Sequence, residues 1–227
     1  MKKIILVFLL FIPVILYSQS YSGAYFDIKY DNFTGSDATD FETDMQGFGS
    51  INSNVGFYVG KKFGEGAIQP LFDLGLGLAT KIYRFKNDYV FGNQNDQLVF
   101  VPGNPTHEYS SGFFSYSKSK LYYYAVRLHL EVGFVLFDKV LLSGGPLVDT
   151  RLYIYQKNKY KIEDKFYSDE LRRNKHFEND IFNIGFKGNI GFKKIGLSAS
   201  YMTTPFFGGE DAPELNPIEV GFYIRTK

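Results

Sequence analysis

The feature that most restricts this chain is a period-two alternation of apolar and polar residues, which recurs eight times after the first twenty residues. Period two places alternate side chains on opposite faces of a strand, whereas a helix would scatter the same residues around its axis. The third such segment sets Phe72, Leu74, Leu76, Leu78 and Ile82 against Asp73, Gly75, Gly77, Ala79, Lys81 and Tyr83. The fourth sets Tyr122, Tyr124, Val126, Leu128, Leu130, Val132, Phe134 and Leu136 against Tyr123, Ala125, Arg127, His129, Glu131, Gly133 and Val135. The others run over 24–30, 51–59, 140–155, 182–192, 195–203 and 218–225. In the fifth, Leu142, Val148, Leu152 and Ile154 are expected opposite Ser143, Asp149, Arg151 and Tyr153, with a bulge or gap at Gly144, Gly145 and Pro146. Proline cannot donate to a ladder, and a closed sheet has no free edge to hide it.

The connections sort by length. Links 31–50, 85–120, 156–180 and 205–216 are long, while those around Phe63 to Gly66, Asp138–Lys139 and Lys193–Lys194 are short. Short turns at one end and long loops at the other are the organisation of an outer-membrane barrel, with the turns periplasmic and the loops outside the cell. The prediction is an all-β fold, a closed antiparallel up-and-down transmembrane β-barrel of eight strands.

Charge placement sets which face meets lipid. The polar faces carry Asp27, Lys29, Asp73, Lys81, Arg127, Glu131, Asp149, Arg151, Lys187, Glu219 and Arg225, six basic and five acidic, interspersed with glycine. Balanced charge beside small residues suits a narrow lumen, where long side chains pair and glycines leave them room. A charge facing lipid at mid-membrane costs roughly 2 to 4 kcal/mol, so uncharged apolar faces point outward. Their aromatics collect toward strand ends as two expected girdles: Tyr30, Tyr122, Tyr124, Phe182 and Tyr201 toward the loops, and Phe72, Phe134, Phe192 and Phe222 toward the turns.

The chain opens with Lys2 and Lys3, an apolar run from Ile4 to Tyr17 broken by Pro13, and then Ser18, Gln19 and Ser20. That order is the order of a signal peptide, and the run is too short to span hydrocarbon. Residues 1–20 are therefore expected to be removed, leaving 21–227 as one barrel domain. The absence of cysteine excludes disulfides, thiolate metal sites and a lipid-bearing cysteine. A net charge of +1 gives no global field for a nucleic-acid partner.

With its strands such as Val55-Gly56-Phe57-Tyr58-Val59-Gly60 and the closing Val220-Gly221-Phe222-Tyr223, the chain resembles the small eight-stranded outer-membrane barrels of the OmpA/OmpX type. In particular it resembles the outer-membrane β-barrel domain proteins of Bacteroidota. The resemblance covers 21–227 and implies a monomer in contact with outer-membrane lipid, lipopolysaccharide and the barrel assembly machinery. Family members often end on an aromatic residue, whereas here Ile224-Arg225-Thr226-Lys227 follow the last one.

For chemistry, Arg127, His129 and Glu131 are the tight ionisable cluster, read either as a general acid/base pair of a lipid A-modifying enzyme or as an interior charge network with Asp149 and Arg151. The network reading is favoured, because that face points away from lipid. Together with Asp73, Lys81, Lys187, Glu219 and Arg225 these residues form the expected interior network, with no catalytic residue and no cofactor. His107 and His176 lie apart in different loops, without metal-ligand spacing. The second long link carries Tyr89, Phe91, Phe100, Tyr109, Phe113, Phe114 and Tyr116, expected to form a β-ribbon extending the flanking strands or an adhesive surface. The third is rich in Lys and Arg, suited to lipopolysaccharide phosphates or merely solvated. A passive pore and a soluble barrel carrying an apolar ligand are the remaining alternatives.

Overall fold

The computed structural model describes residues 18–34, 50–84, 89–94, 97–102, 114–162, 165–172, 181–206 and 214–226. Among the described residues eleven strands form in chain order: β1 (Ser18–Thr34), β2 (Ile51–Phe63), β3 (Ile68–Arg84), β4 (Tyr89–Gln94), β5 (Gln97–Pro102), β6 (Phe114–Leu136), β7 (Val140–Ile162), β8 (Lys165–Arg172), β9 (Phe182–Phe192), β10 (Ile195–Met202) and β11 (Asn216–Arg225). Eight of them close a ring. β1, β2, β3, β6, β7, β9, β10 and β11 each pair antiparallel with the next in the chain, and β11 returns to β1. No edge is left among these eight, which is how a sheet with a largely apolar outer face avoids pairing with other chains.

The eight predicted segments are these eight strands, several of them longer than expected at one end or both. β1 runs on through Asp31 to Thr34, and Asp31 donates its N–H to the Ser50 carbonyl at 3.2 Å. Ser18, Gln19 and Ser20, the exit of the expected leader, already pair with Phe63, Lys62 and Lys61. β6 and β7 extend together to Phe114 and Ile162, and β8 folds back onto the β7 extension, so much of the third expected loop is sheet. The predicted ribbon also differs. Tyr89–Gln94 and Gln97–Pro102 pair as a separate two-stranded sheet, not as an extension of β3, because β6 continues along β7 instead. Tyr89, Phe91, Phe100, Phe114 and Tyr116 therefore lie in strands, while Tyr109, Phe113, His107 and His176 lie outside the described residues, as does the leader through Tyr17.

The turns are tight. Gly64 and Gly66 take positive φ in the β2–β3 turn, Phe137 and Asp138 in the β6–β7 turn and Lys193 in the two-residue β9–β10 turn, left-handed conformations that match the twist of a hairpin. β7 departs from the expected pattern at its bulge. The ladder with β6 does lapse opposite Gly145 and Pro146, but its register is unchanged there, with His129 facing Leu147 and Val132 facing Gly144. The register shift comes later, where Tyr124 faces Tyr153 but Ala125 faces Arg151, leaving Leu152 as the extra residue. From there the phase flips: Ile154 is buried in the lumen and Tyr153 is on the outer wall, the reverse of the predicted placement.

Candidate functional site

Alternation along the closed strands yields two surfaces, an apolar outer wall and an ionic lumen. The outer wall carries Phe26, Ile28, Val55, Phe57, Leu74, Leu76, Leu78, Leu128, Ile184, Phe186, Ile190, Val220 and Phe222, all exposed; Phe57 reaches 75%. A folded domain in water would hide such a continuous belt, since contiguous exposed apolar patches beyond a few hundred Å² mark a surface made to be covered. The girdle residues Tyr30, Phe72, Phe134, Phe182, Phe192, Tyr201 and Phe222 are on this wall. Tyr122 and Tyr124 are half-buried there because they stack on their neighbours: Tyr122 on Tyr155 with centroids 4.5 Å apart, and Tyr124 near Tyr153 at 6.5 Å. Just above, on the same face, Arg84, Lys120 and Lys157 are cross-strand neighbours, a row of cations over a tyrosine patch.

The lumen is organised around Arg127. Its guanidinium meets Asp149 through Nε at 2.7 Å and Nη2 at 2.8 Å, and Glu219 through Nη1 at 2.9 Å and Nη2 at 2.8 Å. Lys81 joins the same two carboxylates, at 2.6 Å from Glu219 and 3.0 Å from Asp149. Lys29 lies 3.4 Å from Glu219, and Ser200 donates to Glu219 at 2.7 Å. A second knot lies nearer the turns. Arg225 bridges Asp73 at 2.7 Å and Glu131 at 2.9 Å, Lys187 lies 3.3 Å from Glu131, and Tyr21 donates to Asp73. Lys187 also lies 3.5 Å from Asp27, linking the two knots. Glycines make room for these long side chains: a methyl at Gly75 would collide with the His129 imidazole.

The structure places Asp73, Lys81, Arg127, Glu131, Asp149, Lys187, Glu219 and Arg225 in the lumen, and His129 beside Glu131 at 3.4 Å. Arg151 is half-buried at the bulge. Sequence reasoning missed Asp31, a buried carboxylate placed in a loop. The buried carboxylates are Asp27, Asp31, Asp73, Glu131, Asp149 and Glu219, against the buried cations Lys29, Lys81, Arg127, Lys187 and Arg225.

It also missed the apolar layers that cap the charges. At the loop end Phe33 stacks on Tyr83 at 4.7 Å, and Phe206 packs edge-on against Phe33 at 5.4 Å and Tyr83 at 5.2 Å. Leu121, Ile154, Met202 and Leu215 are fully buried in the same part of the lumen. At the turn end Leu71, Val135, Leu141 and Tyr223 form a second apolar cluster, and the first three of these line a cup of about 680 Å³ together with Lys62, Asp138, Lys139, Lys193 and Lys194.

The acid/base geometry is that of a network. Ser143 donates to Glu131 at 2.6 Å and His129 lies against the other oxygen of the same carboxylate, so serine and histidine share an acceptor and no hydrogen bond joins them. Activation of a serine needs that missing bond. Among the described residues no group of His, Asp and Glu is arranged to hold a metal ion.

Fold and lumen together define a closed eight-stranded, up-and-down β-barrel with an ionic interior and an apolar exterior. No family model and no curated protein matches the chain. Among solved structures it is similar to Neisserial surface protein A (NspA), with 9% identity and a TM-score of 0.38, covering 92% of this chain and 99% of that one. It is also similar to Ail, the attachment invasion locus protein of Yersinia pestis, in complex with the heparin analogue sucrose octasulfate, with 12% identity, a TM-score of 0.34 and coverage of 92% and 99%.

Proposed function

We propose that this chain is an integral barrel of a bacterial outer membrane, exported through a cleaved leader, and that it acts as a non-enzymatic scaffold whose loop end contacts lipopolysaccharide or a surface partner. The observation that carries the reading is the inversion of the usual globular order: charge pairs inside and an uncharged, largely apolar belt around the outside. Only a hydrocarbon solvent makes that arrangement favourable. The contact with lipopolysaccharide is supported by the row Arg84, Lys120 and Lys157 over Tyr122 and Tyr155, since aromatic rings and cations at one level match the boundary where headgroup phosphates lie. A passive pore is disfavoured because eight strands leave a lumen filled by side chains.

The test is a gel comparison of heated and unheated outer membranes, combined with surface proteolysis of whole cells. A band that migrates differently when unboiled, with cleavage confined to the 35–49, 85–113, 163–180 and 207–213 connections, supports the reading. Recovery of the chain in the aqueous fraction without detergent sinks it. Replacing Arg84, Lys120 and Lys157 together by Gln should weaken co-purification of lipopolysaccharide while leaving the heat-dependent shift intact.

A further inference from the structure

Asp31 is fully buried, and neither of its carboxylate oxygens has a hydrogen-bond partner. It faces Glu219 directly across β1 and β11, so two carboxylates share one rung of the lumen. The cations beneath are engaged elsewhere: Lys81 with Glu219 and Asp149, and Lys29 with Glu219. Arg127 is clamped on that same pair of acids, and His129 lies at Glu131 in the other knot. Among the described residues the buried acids exceed the buried cations by one, and Asp31 is the carboxylate without a direct ion pair.

Two neighbours share its condition. Asn52 stands opposite Lys29, one rung below Asp31 on the lumen face, and both its amide oxygen and its amide nitrogen are unpartnered at 1% exposure. Tyr83 lies on the same face of β3, two residues beyond Lys81, which is the cross-strand partner of Asn52; its hydroxyl is buried and also unpartnered. Asn52 and Tyr83 both carry donors, yet neither reaches Asp31. The three groups thus lie on the lumen face at the loop end with no hydrogen bond among them. Water alone would satisfy donors and acceptors there, but a carboxylate in a low-dielectric interior also needs a counter-charge, either its own proton or a cation.

We propose that Asp31, with the Asn52 amide oxygen and the Tyr83 hydroxyl, holds one partly hydrated monovalent metal cation inside the barrel. Hard oxygen donors and a single excess negative charge suit sodium or potassium. A transition metal would need nitrogen or sulfur ligands, and a divalent ion would meet Lys29 and Lys81 with one carboxylate to offset them. The site lies beneath the Phe33, Tyr83 and Phe206 rings, so its occupant is exchanged slowly or captured during folding. The inference does not depend on which membrane, if any, surrounds the barrel.

The test is refolding of the chain from urea into detergent micelles in NaCl, KCl or choline chloride at one ionic strength, choline being a bulky cation that oxygen donors do not coordinate. The thermal midpoint should be higher by about 2–4 °C in one of the metal salts than in choline. Asp31→Asn should erase that difference and be at least as stable as the wild type in choline. Tyr83→Phe should move the same response to higher salt, and sodium-23 line broadening, where sodium is the preferred ion, should be lost in Asp31→Asn. Should Asp31→Asn fail to fold, the wild type and Tyr83→Phe still decide. A wild-type midpoint indifferent to the cation but rising as pH falls would overturn the proposal in favour of a proton as occupant, as would an equal salt response in Asp31→Asn.

Discussion

Arg127 clamps Asp149 at two points across adjacent strands, Nε to Oδ1 at 2.7 Å and Nη2 to Oδ2 at 2.8 Å, with both side chains fully buried. A planar fork fits a carboxylate in this way, and a lysine ammonium does not. Replacing Arg127 by Met leaves Asp149 and Glu219 with Lys81 as their one shared cation and should lower the unfolding free energy by about 3–5 kcal/mol, the usual cost of breaking a buried pair from one side. Arg127→Lys should lie between Met and wild type. Urea titration of the barrel in lipid vesicles checks both; a Met variant as stable as the wild type would show that the clamp contributes nothing.

The outer wall makes a prediction that depends on depth. Leu76 and Ile68 lie on the same outward face of β3, the first near its middle and the second at its turn end, 56% and 63% exposed. Arginine at Leu76 would sit in mid-hydrocarbon and should cost about 2–4 kcal/mol, whereas arginine at Ile68 reaches the interface and should cost about 0–1 kcal/mol. Folding yields and urea midpoints in bilayers read the difference. Equal costs at the two positions would contradict a membrane-embedded belt.

Much of this was legible in the sequence, for a definite reason. A strand with one face in lipid and the other in a charged lumen has sharp contrast at every step, so the outward Leu74, Leu76 and Leu78 and the inward Asp73 and Lys81 could be read directly. Where the lumen turns apolar, the contrast disappears. Phe33 sits in Asn32-Phe33-Thr34-Gly35 and Phe206 follows Pro205, contexts that read as loop, yet both rings fill the barrel mouth. The bulge was hidden in the same way: Leu152, Tyr153 and Ile154 suit either face, so nothing in their composition marks where the phase changes. Asp31 was missed because Asp31-Asn32 resembles a turn.

Gly75 and His129 face each other on β3 and β6, and the imidazole occupies the volume a Cβ at Gly75 would need. Gly75→Ala should therefore destabilise the barrel by about 1–3 kcal/mol through overpacking. His129→Ala should relieve it, so a double-mutant cycle should return a coupling of at least about 0.5 kcal/mol. His129→Ala alone should leave the acyl-chain profile of lipid A in expressing cells unchanged. A profile that shifts on expression of the wild type, and reverts in this variant, would make the lumen a catalytic centre.

The register of β7 provides the most discriminating test of the architecture. Leu152 is the extra residue of the bulge, and Tyr153 beyond it already points outward with Ile154 inward. Deleting Leu152 joins Arg151 directly to Tyr153, so the ladder with β6 becomes regular and no side chain changes face. Val148 lies in a regular stretch, opposite Leu128 on one side and Ile184 on the other. Deleting it forces Asp149 either out toward lipid, away from Arg127, or into a new bulge on a neighbouring strand. The first deletion should retain the heat-dependent gel shift with a stability change within about 1–2 kcal/mol, a range that ordinary surface changes seldom exceed. The second should abolish the shift, because it combines a lipid-facing carboxylate with a buried guanidinium that has lost one of its two carboxylate partners. If both deletions behave alike, the lumen and wall assignments along β7 do not govern folding.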